Sequence, residues 1–338
     1  AAEAHVYVEG TCPCGAKEQT GPTEVANMTV GTQLALNSDL SILFRVKNVS
    51  ETVYDLSTAY LVVEKDQYPA GQEKYVKTTT MTEYSISGGR VVFTYAGITA
   101  AEMNDEIRAT FYVKGLDGKL YCSPVKVTSI CGYVRTALDS GTCTATLRTC
   151  LIDMLNYGTA AQIYFGRHTD GLANAEFEEY QQYATAELTS AVESVKDSIA
   201  TGCTNNLVEK FSAKLDMNSS VGIIFTVTGT QKFTEDELAN LKLVVKDESG
   251  KVLDTIEGSA LTLDTRGRIV GSTFVLTARQ MRTPVYTTLY KNGEIASNTF
   301  VYSIASYLID VQTNMPGSTL ESMIRAMIIY GDAADKSL

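Results

Sequence analysis

Short runs in which apolar and β-branched residues interleave with polar ones recur along the chain at Leu40–Val46, Ala59–Glu64, Arg90–Tyr95 and Ile107–Val113. A period of two turns one face to a core and the other to water, so each run predicts a half-buried strand, and turn residues such as Asp117-Gly118 separate them. A second set follows at Val221–Val227, Leu241–Lys246, Arg268–Phe274 and Val285–Tyr290. Several short strands at about ten-residue spacing predict an antiparallel β-sandwich of the Ig-like kind in each set.

After each set the period changes. Val127, Ile130, Cys131 and Val134 fall at helical spacing, and Leu147, Cys150, Leu151, Met154, Leu155 and Gly158 continue the stripe in a second helix. Val301, Ile304, Ala305 and Leu308, then Leu320, Met323, Ile324, Met327, Ile328 and Gly331, repeat the arrangement. A helical hairpin is therefore predicted to close each half. A glycine inside a buried helical stripe costs helix stability, so Gly158 and Gly331 predict a close backbone approach.

The correspondence is ordered along the whole chain. Ile42 to Val46 matches Ile223 to Val227, and Leu61-Val62-Val63 matches Leu243-Val244-Val245. Ile98-Thr99-Ala100 with Met103 matches Leu276-Thr277-Ala278 with Met281, and Tyr157-Gly158 with Ala160-Ala161 matches Tyr330-Gly331 with Ala333-Ala334. This order predicts an internal duplication. The fold expected is α+β, two tandem antiparallel sandwich units each followed by a helical hairpin. The segments are an N-terminal arm at 1–21, a first copy at 22–166, a connecting segment at 167–201 and a second copy at 202–338. Within the connecting segment, Leu188, Val192, Val195 and Ile199 fall at helical spacing and predict a connecting helix or the first element of the second copy, one-sided and therefore docked.

The 28 Lys and Arg against 39 Asp and Glu give a net charge of −11, which opposes binding to nucleic acid. No apolar run approaches the roughly 18 residues of a membrane span. The chain opens Ala1-Ala2-Glu3-Ala4, which suggests a mature end left by signal-peptide removal and hence an exported protein. Cys131 and Cys150 sit at apolar stripe positions, as buried small hydrophobes or as a bridge between the two helices; Cys122, Cys143 and Cys203 leave further bridges open. The two histidines are His5 and His168. His5, Cys12 and Cys14 form a local group of soft ligands, a candidate zinc site, although Cys-x-Cys spacing with three ligands departs from a zinc knuckle. No other cofactor is expected.

His5-x-Tyr7-x-x-Gly10-x-Cys12, followed by Cys14-Gly15, resembles the lead-in of uncharacterised exported multi-modular surface proteins of Gram-positive anaerobes, where Cys-x-x-Cys is usual. Met154-Leu155-Asn156-Tyr157-Gly158-Thr159-Ala160-Ala161-Gln162 looks like the closing helix of modules in the same proteins. The resemblance implies an extracellular, multi-modular setting and brings no catalytic residues.

Acidic groups such as Glu178-Glu179 and Glu235-Asp236-Glu237 read as solvated faces and lack counterparts in the other half. Tyr54, Tyr60, Tyr68 and Tyr75 are candidate platforms for a glycan. With no convergent catalytic chemistry, the sequence predicts a non-catalytic, extracellular structural or adhesive cell-surface module, with protein partners or self-association into layers or fibres. The N-terminal arm, strand-like at His5 to Glu9, would add to a neighbour's sheet edge. The alternative is a carbohydrate-binding module of a secreted degradative system.

Overall fold

A computed structural model describes residues 21–36, 40–188, 190–192, 195, 198–217 and 221–337. Its N-terminal half begins with strands β1 (Thr23–Glu24), β2 (Thr29–Leu36), β3 (Leu40–Lys47), β4 (Tyr54–Gln67), β5 (Tyr75–Met81), β6 (Ser85–Ser87) and β7 (Arg90–Ile98). A 3-10 turn at Ala100–Glu102 leads into β8 (Ile107–Gly115), β9 (Leu120–Cys122), β10 (Lys126–Thr128) and helices α1 (Ile130–Asp139) and α2 (Ala145–Phe165). The C-terminal half runs through β11 (Val208–Asp216), β12 (Gly222–Gly229), α3 (Glu235–Leu238), β13 (Leu241–Lys246), β14 (Val252–Glu257), β15 (Thr262–Leu263) and β16 (Ile269–Thr273). Another 3-10 turn, Ala278–Gln280, precedes β17 (Val285–Lys291), β18 (Glu294–Ile295), β19 (Phe300–Tyr302), α4 (Ser306–Asn314) and α5 (Thr319–Lys336).

The described strands make four sheets, in the orders β2-β3-β7-β6, β1-β9-β8-β4-β5, β11-β12-β16-β15 and β14-β13-β17-β18, with β10 on β8 and β19 on β17. Pairing is antiparallel throughout except between β1 and β9. Alternation explains which faces meet. Phe44 and Phe93 from one N-terminal sheet, and Leu61 and Phe111 from the other, are all fully buried, and the Phe93 and Phe111 rings lie 6.0 Å apart. Phe225 and Phe300 make the corresponding inter-sheet contact at 6.5 Å.

Several local devices recur in the two halves. Ser123 Oγ accepts from Phe111 N and donates to Pro124 O; Ser297 Oγ accepts from Leu289 N and donates to Asn298 O. Cys131 N donates to Met103 O at 3.0 Å, and Ala305 N to Met281 O at 2.7 Å. The register agrees too, with Leu61 opposite Phe111 and Leu243 opposite Leu289.

All eight sequence-predicted strands are present, as are both helical hairpins. Two details differ. Val127 and Val301 lie on β10 and β19 rather than on helices, because the chain first pairs with β8 or β17 before turning; Ser129 then caps α1 by accepting from Gly132 N. The docking helix expected over 188–199 is absent from its described residues. Ile199 instead exchanges backbone hydrogen bonds with Thr299 as a β-bridge, while Leu188 and Val192 still pack on the core. The helical part of the connection is a 3-10 turn at Glu178–Tyr183.

The predicted close approaches at glycine are observed. A Cβ built on Gly158 would lie 3.1 Å from Ala100 O and 2.8 Å from Met103 Sδ; one on Gly331 would lie 2.7 Å from Ala278 O and 2.8 Å from Met281 Cγ. Each long helix therefore crosses the 3-10 turn of its own half at backbone distance. The two long helices also pack against each other in antiparallel fashion: Ser337, which caps the C-terminus of α5, reaches Cys150 near the start of α2, and Tyr157 stacks on Tyr330.

Candidate functional site

The densest polar chemistry among the described residues is at one end of the N-terminal sandwich. In β4, Leu61 and Val63 face the core, and alternation carries Lys65 to the same face with 3 % exposure. A buried ammonium is costly unless paired. Its partner comes from the 3-10 turn, where Glu102 Oε2 accepts from Thr99 N at 2.9 Å and thus points inward, 2.8 Å from Lys65 Nζ.

The other partners come from the end of α2. Gly166 takes a left-handed conformation (φ 61°) that reverses the chain, bringing Arg167 and His168 back over the turn. Arg167 donates through Nη1 to Glu102 Oε1 at 2.7 Å and through Nη2 to Asp105 Oδ2 at 2.6 Å. His168 Nδ1 lies 3.2 Å from Asp105 Oδ1, and its ring stacks on Tyr68 with centroids 3.6 Å apart. Lys74 sits over the same tyrosine and also pairs with Asp66.

Burial pushes the Asp105 carboxyl up to about 6 against the pull of Arg167 and Lys65. For Glu102 burial acts in the same direction, but Lys65, the Thr99 amide and Arg167 outweigh it and hold the carboxyl below its ordinary range. Burial lowers Lys65 despite both carboxylates. Beside the cluster, between β5 and β7, lies a cleft of about 350 Å³ lined by Gln67, Lys77, Thr79, Tyr95, Lys65 and Glu102.

Both oxygens of Glu102 and of Asp105 are engaged within the cluster, so Glu102, although it lines the cleft, meets it with both oxygens already paired. Chemically the arrangement is a latch. It ties β4, the 3-10 turn and the chain leaving α2 into one unit. The C-terminal half has no such latch at the matching positions, where Asp247, Gln280 and Thr283 replace Lys65, Glu102 and Asp105.

The candidate zinc ligands His5, Cys12 and Cys14, and the strand-like arm His5 to Glu9, lie outside the described residues. Among the described residues, no group of three or more His, Cys, Asp or Glu is arranged to hold a metal. The four tyrosines are not brought together. Tyr54 packs edge-on against Tyr121, Tyr60 stacks on Tyr112 at 5.0 Å, Tyr68 is covered by His168, and Tyr75 alone is largely exposed. Tyr54 lies opposite Gly115 and Lys65 opposite Ile107 on β8, so at about 3.3 Å per residue the Tyr54 end of β4 and the end that leads to Tyr68 are roughly 25 Å apart.

Cys122, Cys131, Cys143, Cys150 and Cys203 are free thiols. Burial pushes the Cys131 thiol up to about 12 and the Cys150 thiol up to about 11, so neither is a ready nucleophile. Glu178 and Glu179 are solvent-exposed, with Glu179 paired to Arg135, while Glu237 caps its own helix and bridges to Lys291. The latch residues are not among those predicted from the sequence, although Leu61-x-Val63-x-Lys65 places a lysine on a core-facing register.

No protein-family model matches the chain, and no curated protein matches it. Solved structures similar to parts of it include the receptor tyrosine kinase Torso (8% identity, TM-score 0.20, 88% of this chain and 82% of that one). Others are the Amycolatopsis orientalis exo-chitosanase CsxA with PNP-beta-D-glucosamine (12%, 0.17, 81% and 26%) and the perforin-like membrane protein Astrotactin-2 (8%, 0.18, 87% and 50%). Scores this low carry no structural or functional inference. No helix among the described residues is long and apolar enough to cross a membrane.

Proposed function

We propose that the chain is a non-catalytic structural module of an extracellular surface protein, an internal duplication of Ig-like sandwiches fused into one stiff unit. The strand orders support the duplication. β2-β3-β7-β6 and β5-β4-β8-β9 correspond to the A-B-E-D and C′-C-F-G sheets of immunoglobulin-like domains, and β11-β12-β16-β15 with β14-β13-β17-β18 repeat them in the same chain order. The observation that carries the mechanical reading is the seam between α2 and α5, where the buried Tyr157 and Tyr330 stack. Tandem surface domains joined by a linker swing freely. Here the closing helices of the two halves share one continuous apolar core.

The latch contributes to this role by fixing the strand of residues that leaves α2, where a hinge would otherwise form. The experiment has two arms. Held between handles in an optical trap, the chain unfolds in one step that releases both halves; two independent steps would contradict fusion. Screened against glycan, peptide and ester substrates, it shows no turnover; turnover abolished by Asp105→Asn would overturn the non-catalytic reading.

A further inference from the structure

Each of the four sheets among the described residues presents two edge strands. An edge pairs with other chains unless something guards it, and most edges here are guarded. β1, β15 and β18 have two residues each and β6 has three. β2 lies against α1 and β10. β11 breaks register between Val208 and Lys210 and carries the charges of Glu209, Lys210 and Lys214. β14 breaks register opposite Val245 and Lys246, and its Asp254 turns inward to accept from Thr273 Oγ1 on the opposing sheet.

β5 has neither a register break nor an inward charge. It runs opposite β4 from Tyr75 at Gln67 to Met81 at Leu61 with every residue in step, and it contains no glycine or proline and a single charge, Lys77. Tyr75 is 53 % and Val76 46 % exposed. The strand also fits itself. An antiparallel copy about a twofold axis at Thr78 sets Tyr75 opposite Met81, Val76 opposite Thr80 and Lys77 opposite Thr79, with Thr78 opposite its own counterpart. Aromatic–thioether and threonine–threonine pairs are favourable across strands. Moving the axis to Lys77 would oppose two like charges, and moving it to Thr79 would leave Tyr75 and Val76 with no residue of β5 opposite them. One register therefore pairs the whole strand.

We propose that β5 is a self-recognition edge, at which a second copy of this chain adds its own β5 in antiparallel register about Thr78 and joins the two sheets into one. A contact of one short strand is smaller than the roughly 1,200 Å² of a stable interface, so the dimer is weak, with a dissociation constant on the order of 10–100 μM. It forms where copies are crowded. The one-step unfolding of the fused unit is a property of a single chain held in a trap, so that reading and this one fail separately.

The test is sedimentation equilibrium of the full chain from about tenfold below to about tenfold above that constant, with amide exchange by mass spectrometry at both ends of the range. A monomer–dimer equilibrium is expected, with protection that rises with concentration in residues 75–81. Thr78→Lys, at an exposed position, sets like charges against each other at the axis and weakens association by about fivefold or more with an unchanged unfolding midpoint. A chain that stays monomeric throughout, association that Thr78→Lys leaves unaltered, or protection that rises elsewhere than in β5 would overturn the proposal. So would protection of β5 that is lost on deleting residues 1–20 but kept in Thr78→Lys, which would make the N-terminal arm the occupant.

Discussion

Tyr157 on α2 stacks on Tyr330 on α5, with ring centroids 6.1 Å apart and planes 15° from parallel, and each tyrosine immediately precedes the glycine at which its helix crosses a 3-10 turn. A position that touches its own counterpart lies on a local twofold axis, the arrangement of an isologous dimer interface. On the proposed duplication Tyr157 and Tyr330 are counterparts, and the two halves would meet as the subunits of a symmetric dimer do. Both phenols are buried, and burial pushes both hydroxyls well above their ordinary range.

Truncating either ring removes a buried aromatic from both halves at once. Tyr157→Ala and Tyr330→Ala are each expected to destabilise the chain by about 3 kcal/mol or more, measured by urea denaturation. The double variant should show a coupling of about 1 kcal/mol, since the second truncation has less of the stack left to lose. Strict additivity would place the two rings out of energetic contact.

Gly331→Ala tests the crossing itself. Alanine favours a helix over glycine by about 1 kcal/mol, which would stabilise an unconstrained site. Here the new Cβ meets Ala278 O at 2.7 Å, a backbone atom that cannot swing aside. A net loss of about 1–3 kcal/mol is expected, with Gly158→Ala similar in sign; a gain in thermal midpoint would refute the close approach.

The latch makes a pH prediction. The Asp105 carboxyl, facing Lys65, Glu102, Arg167 and His168, is raised to about 6 in the folded chain from an ordinary value near 3.8. Between those values the folded state holds a proton that the unfolded state has released. Its contribution is therefore full below about pH 4 and lost as pH rises through 6, a change on the order of 3 kcal/mol. Asp105→Asn lacks that term, so the stability gap between wild type and variant should be larger at pH 4 than at pH 7. A gap that widens toward pH 7 would reverse the assigned direction.

Thiol labelling separates the cysteines by environment. Cys131 and Cys150 are buried with raised thiols, whereas Cys143 and Cys203 are partly exposed. With iodoacetamide at pH 8 followed by peptide mass mapping, Cys143 and Cys203 should modify in the native chain, and Cys131 and Cys150 only on unfolding. Early modification of Cys150 would mean that the seam between α2 and α5 opens readily.

Strand and helix positions were legible because each half of the chain buries one face, which fixes the hydrophobic period; the glycines at 158 and 331 were legible because they sit on that buried face. What escaped was set by non-local contacts. Arg167 joins Glu102 and Asp105 only because Gly166 reverses the chain, a relation between residues more than sixty positions apart. Leu188 to Ile199 has helical spacing, yet the open edge at Thr299 offers backbone partners that take Ile199 into a bridge. The tyrosines looked like a strip by spacing, but Tyr112, Tyr121 and His168 claim their faces from elsewhere in the fold.

The fused, stiff architecture is most directly tested by small-angle X-ray scattering from the full chain across a range of ionic strength. One compact distance distribution whose maximum dimension does not change with salt is expected of two halves sealed through Tyr157 and Tyr330. A two-lobed, extended distribution that broadens as salt is varied would contradict it.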